Sequence, residues 1–135
     1  MSTLTTKYPV RVFYEDTDAG GIVYYANYLK FFERARTEML REYGISQSTF
    51  LEQNLGFVVR KVEMDNLASG KLDDLLEVTT SISELKRASL SFSQQITNQQ
   101  GALLCTANVR VACVNLALNK PCAIPADILG AFNRA

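Results

Sequence analysis

Three acids and two adjacent glycines stand in "YEDTDAGGIVYYANYLKFFERAR", residues 14 to 36, directly ahead of a run with helical spacing. The first turn of a helix leaves backbone N–H groups without partners and carries about half a positive charge, so it attracts anions and stabilises an oxyanion. Gly20 and Gly21 permit positive φ and let a ligand carbonyl approach the donors that follow. A carboxylate a few residues upstream, Asp18, then stands near that carbonyl as nucleophile or general base. Asp and Gly before a helix are also ordinary turn and N-terminal residues, favoured for local hydrogen bonding and for the helix dipole. Three acids exceed what capping requires, yet spacing alone leaves both readings standing.

The chain contains no histidine. That removes Ser-His and Cys-His nucleophilic pairs, H-E-x-x-H zinc sites, and any base that titrates near neutrality without perturbation. Chemistry is left to carboxylates, tyrosines, hydroxyls and backbone groups. Cys105, Cys113 and Cys122 are odd in number, lie 8 and 9 apart and form no C-x-x-C pair, so they suggest neither a disulfide framework nor a metal site and are assigned to core packing. No cofactor is expected.

These residues need a scaffold, and the composition allows one. At 135 residues, with 47% hydrophobic, 21% charged and 10% aromatic residues, the sequence fits one globular domain over residues 1–135. Lys plus Arg equals Asp plus Glu at 14 each, so no excess positive field draws the protein onto nucleic acid or an anionic bilayer. The N-terminal stretch has no apolar segment of signal-peptide length, no later segment has the length of a membrane span, and a cytoplasmic protein is expected.

Residues 8 to 15 alternate Val10, Val12 and Tyr14 against Arg11, Phe13 and Glu15, which predicts a first strand. From Tyr24 the period becomes helical, with Tyr28, Phe31, Phe32, Ala35, Met39 and Tyr43 on one side and Gly44 as the stop. Glu33, Arg34, Glu38 and Arg41 have the spacing of helix-surface ion pairs. A short helical turn follows Ile45, and "LGFVVRKVEM" from Leu55 reads as a strand. Beyond the loop "NLASGKLDD" come three alternations: Leu76 to Ile82, Leu90 to Ile96, and Leu103 to Cys113, the last two joined by the hairpin turn "TNQQGA". A short helix begun by Pro125 closes the chain. One long helix with an aromatic face needs a large apolar partner, so the fold class is α+β, with a curved antiparallel sheet of about five strands wrapped around that helix.

The stretch "YEDTDAGGIVYYANYLKFFERARTEMLREYGI" resembles the signature of the hot-dog-fold acyl-CoA thioesterases, specifically the YbgC group associated with the Tol-Pal system and related to 4-hydroxybenzoyl-CoA thioesterase. The likeness extends through "FVVRKVEMD", "LDDLLEVTTSI" and "AIPADI", and its motif, D-x-D-x-x-G-I/V-V-Y/W-x-x-N-Y, is long and specific. The resemblance implies the hot-dog fold and hydrolysis of an acyl-CoA thioester. It places the catalytic carboxylate on Asp18, with Asp16 as the supporting acid, and the backbone N–H that polarises the thioester carbonyl on Tyr25. YbgC proteins usually carry His where this sequence has Tyr25; the backbone donor survives that change, and any role of an imidazole does not.

The resemblance also implies basic residues that bind the phosphates of coenzyme A near a strand junction, which "ELKRAS" matches with Lys86 and Arg87. Arg60 and Lys61 are weaker candidates, and for all four a solvated surface is the competing reading. Active sites of this family lie at subunit interfaces, so a homo-oligomer, dimer or tetramer, is expected. The rival function is a scaffold that uses the same cleft to hold acyl chains or an acyl carrier protein without hydrolysis. A hydratase of the same fold fits less well, since related dehydratases use a histidine.

Overall fold

The computed structural model describes residues 5–134. Six strands and three helices follow in the order β1 (Thr5–Arg11), α1 (Asn27–Glu42), α2 (Gln47–Glu52), β2 (Leu55–Asn66), β3 (Leu75–Leu85), β4 (Ser89–Thr97), β5 (Leu103–Asn115), β6 (Lys120–Pro121) and α3 (Ala126–Arg134). The sheet runs β1-β3-β4-β5-β2 with every pairing antiparallel, and the two-residue β6 pairs with the end of β5.

Strict alternation makes β3 and β4 half-buried. Leu76, Val78, Thr80 and Ile82 of one strand and Leu90, Phe92, Gln94 and Ile96 of the next point to the same interior. Against them lies the aromatic face of α1, on which Tyr28, Phe31, Phe32, Ala35 and Met39 recur at helical spacing and are buried. Full burial of Phe31 and Phe32 stabilises the helix on the sheet by about 2–3 kcal/mol each. The helix ends as the sequence predicts: Gly44 has φ of +82°, and the Ile45 N–H turns back to the Leu40 carbonyl at 2.8 Å.

Two expectations are corrected. The first strand stops at Arg11, and the helix begins at Asn27 instead of Tyr24. Val10 and Val12 are buried as alternation requires, but Tyr14 is 83% exposed, because residues 14–16 coil into one turn of 3-10 helix. The Asp16 carboxylate closes that turn by accepting the Phe13 N–H at 2.8 Å, a local bond that outcompetes a continued ladder.

A polar network unmarked in the sequence ties the helix to the sheet. Arg36, only 7% exposed, donates to Gln94 Oε1 at 2.9 Å and to Glu33 Oε2 at 2.6 Å. Gln94 in turn donates to the Phe32 carbonyl and to Thr80 Oγ1, both at 3.0 Å. Burial pulls the Arg36 guanidinium pKa down and the nearby Glu33 carboxylate opposes that shift. The network fixes how far α1 slides and rolls on β3 and β4, and therefore where the helix entrance stands. Of the surface pairs expected on α1, Arg41 meets Glu38, while Glu33 turns to Arg36.

Candidate active site

The acid segment folds back on itself before α1. Thr17 bridges Val23, the Asp18 N–H donates to the Ile22 carbonyl at 2.9 Å, and the Tyr24 N–H donates to the Asp16 carbonyl at 3.0 Å. Gly21 sits at the apex with φ of +77°, a conformation that strains any residue with a side chain. The chain therefore needs glycine here to bring Asp18 and the helix entrance onto one small hairpin. Gly20 is close-packed as well: a Cβ there would stand 3.3 Å from Asp18 Oδ1.

Asp18 is exposed in the single chain, and one carboxylate oxygen accepts the Gly20 N–H at 2.8 Å. Its turn-forming role is thus real, and the second oxygen has no partner among the described residues. Asp16 holds the turn together. Its carboxylate holds Phe13, and its carbonyl also accepts the Asn27 side-chain amide at 2.9 Å, pinning the first residue of α1 to the acid turn.

No side chain caps the entrance of α1. The Asn27 and Tyr28 N–H groups bond the carbonyls of Tyr24 and Tyr25 in tight turns, whereas the N–H groups of Tyr25 and Ala26 have no acceptor among the described residues. Two unclaimed donors at the positive end of a 16-residue helix, next in chain to the hairpin of Asp18, can hold an oxygen that gains negative charge. Phe13, Tyr14, Tyr24 and Tyr25 of the same segment each expose 50% or more of their surface.

Tyr28 and Gly70 hold this arrangement from behind, and the sequence marks Tyr28 only as a core residue. Its hydroxyl oxygen accepts the Gly70 N–H at 2.9 Å while the Gly70 carbonyl accepts the Val23 N–H at 2.8 Å, so the loop after β2 is buttoned to the hairpin. A Cβ at position 70 would meet Val23 Cγ2 at 3.2 Å. Burial raises the Tyr28 pKa, and the hydrogen bond accepted from Gly70 opposes that shift. Asn27, at helical position one, was discoverable from spacing.

The basic candidates lie elsewhere. Lys86 and Arg87 form the turn after β3, with Lys86 paired to Glu84 at 3.1 Å and Arg87 exposed. The hairpin of Asp18 borders the other end of β3, where Ile22 bridges Lys71 and the Leu72 N–H meets the Gly21 carbonyl. The two ends are separated by 11 residues of strand, about 30 Å or more along its curve. Arg60 is the bulged residue of β2, at the level of Leu90 and Ser91 across β5, hence toward the Lys86 end; Lys61 beside it pairs with Glu63 at 3.4 Å. One chain does not bring Asp18 together with Lys86, Arg87 and Arg60.

A curved antiparallel sheet around one long helix, with a D-x-D hairpin at the helix entrance, defines a hot-dog thioesterase fold. The chain belongs to the thioesterase-like superfamily, whose family model matches residues 12–132. It is 51% identical over 127 residues to the acyl-CoA thioesterase YbgC of Haemophilus influenzae, covering 93% of each chain. It is 46% identical over 134 residues to the acyl-CoA thioester hydrolase YbgC of Escherichia coli, covering 99% of this chain and 100% of the relative. The crystal structure of a probable thioesterase from Bartonella henselae superposes with a TM-score of 0.85 at 36% identity, over 90% of this chain and 100% of that one.

Proposed function

We propose that this chain hydrolyses an acyl-CoA thioester to a free carboxylic acid and coenzyme A. The observation that carries the reading is the uncapped entrance of α1, where the Tyr25 N–H stands without an acceptor on the hairpin that holds Asp18. The thioester carbonyl docks on that donor. The free oxygen of Asp18 attacks the carbonyl carbon or deprotonates a water that does, and the oxyanion forms against the helix entrance. Collapse of that intermediate breaks the carbon–sulfur bond and expels the coenzyme A thiolate. One such donor is typically worth about 100- to 1000-fold in rate.

Coenzyme A is far longer than the hairpin, and its phosphates fit the basic residues of a second copy: Lys86 and Arg87 at the turn, with Arg60 beside them. The reading therefore includes a dimer or tetramer of single domains spanning 1–135, drawing acyl-CoA from the cytoplasm, with acyl carrier protein as an alternative acyl donor. The cleft between α1 and the sheet, lined by Leu40, Phe57, Val59, Phe92 and Val111 with Glu33 and Arg36 of α1 and Gln47 of α2 at its edge, holds about 40 Å³, room for little more than one water-sized group. The acyl chain must then lie against surface that the second copy completes.

The test is release of free thiol from short, long and aromatic acyl-CoAs by purified protein, repeated with Asp18→Asn. The expected result is turnover of at least one class and a fall in kcat of about 100-fold or more in the folded variant. Binding without turnover across the panel would support the scaffold instead, and full activity of Asp18→Asn would remove Asp18 from the mechanism.

A further inference from the structure

Two thiols lie side by side at the end of the sheet. The Cys113 and Cys122 sulfurs are 3.5 Å apart, and the Cys122 N–H donates to the Cys113 carbonyl at 2.9 Å. They extend the β5–β6 register by one position beyond Val114 and Pro121, so they face each other across an antiparallel pair. Facing residues in such a pair have Cα atoms about 4.5–5.5 Å apart, inside the window that a disulfide bridges. Closing the sulfurs to a bond of about 2.05 Å takes a small side-chain rotation with no rearrangement of the strands. Cys122 is half-buried and Cys113 fully buried, while Cys105 lies apart in the core with Asn66 as its sulfur's side-chain neighbour.

We propose that Cys113 and Cys122 are a dithiol–disulfide site, with Cys122 the residue that meets a low-molecular-weight disulfide and Cys113 the residue that resolves the adduct. Access sets the order. The Cys122 thiolate attacks one sulfur of glutathione disulfide, breaking its S–S bond and releasing one glutathione thiolate. Cys113 then loses its proton and attacks the Cys122 sulfur, forming the internal bond and releasing the second glutathione thiolate. Two protein thiols are oxidised, one disulfide is reduced, and the two protons end on the two glutathione thiols. Burial pushes the Cys113 thiol up to about 12, which makes it a poor first attacker, and its part in the second step rests on its sulfur standing 3.5 Å from that of Cys122.

The bond has a structural consequence. The Cys113 N–H donates to the Ala88 carbonyl at 2.9 Å, and the Ile124 N–H to the Arg87 carbonyl at 2.8 Å. The cysteine pair thus flanks the two backbone clamps on the turn that carries Lys86 and Arg87. A covalent link between them ties that turn to both β5 and the segment leading to α3.

The full chain is incubated with millimolar glutathione disulfide under native conditions, and thiols and intact mass are measured. The count is expected to fall from three to one, with a mass loss of two hydrogens and a peptide joining residues 113 and 122. Cys113→Ser should instead retain one glutathione on Cys122. Cys122→Ser, a change at the more accessible position, should keep both remaining thiols, and it leaves the test readable if the buried substitution fails to fold. A lasting glutathione adduct on the wild-type chain, three unreacted thiols, or a bridge to Cys105 would each overturn the proposal. The readout involves no substrate and stands or falls apart from the hydrolase reading.

Discussion

Asp16 and Asp18 share a turn but hold different partners, and the difference separates their expected effects. Asp16 spends its carboxylate on Phe13 and its carbonyl on Tyr24 and Asn27. An asparagine there keeps an acceptor for the Phe13 N–H, so Asp16→Asn should reduce thiol release much less than Asp18→Asn, which loses the nucleophile and the base together. Parallel assays of the two variants check this; equal losses would mean that the turn acts through its shape alone. Tyr28 supplies a test of the support behind the hairpin. Tyr28→Phe leaves the Gly70 N–H without its acceptor in a buried position and should lower stability by about 1–3 kcal/mol in denaturant titration. The loss should be larger than that of an exposed Tyr14→Phe, where no such bond exists.

At the scale of elements, the proposed mechanism gives binding to the β3–β4 turn and chemistry to the helix entrance. Contacts to a remote phosphate hold substrate and transition state about equally, so Lys86→Ala with Arg87→Ala should raise KM for CoA thioesters and leave kcat nearly unchanged. An unchanged KM in steady-state kinetics would return both residues to a solvated turn. The elements themselves were legible wherever one face is wet and the other dry: α1, β3, β4 and β5 announce themselves by period, and the buried side chains match. Boundaries set by side-chain-to-backbone bonds were not legible. Nothing in the period of "VFYED" reveals that Asp16 will bond Phe13 and end the strand, and the D-x-D motif pointed to Asp18 without showing that it also holds Gly20. Arg36 was hidden for another reason: a charge on a core row is discounted until Gln94 and Thr80 are seen facing it. The cysteine pair depends on a register between β5 and β6 that two residues of strand do not encode by alternation.

For the whole molecule, the proposed site, with Asp18 at one end of β3 and Lys86 and Arg87 at the other, calls for two copies. Light scattering at micromolar concentration should therefore give a mass of at least twice 15.0 kDa, and a stable monomer would remove the shared site. The outer strand β2 fits such pairing, since Val58, Val59 and Val62 are 40–44% exposed on a strand bonded only to β5. Its first five residues, Leu55 to Val59, carry no charge, whereas Arg60, Lys61, Glu63 and Asp65 crowd the rest. That asymmetry bears on how the protein is made. A newly released chain presents an uncharged, hydrogen-bond-hungry ribbon that any other extended chain can extend, so self-recognition competes in time with aggregation. In the proposed dimer the productive encounter is second order in this chain, while the wrong one draws on every unfolded neighbour. Overproduction in company with other misfolding proteins should therefore yield more insoluble material than overproduction alone, and the charges from Arg60 onward are what confine the hazard to five residues.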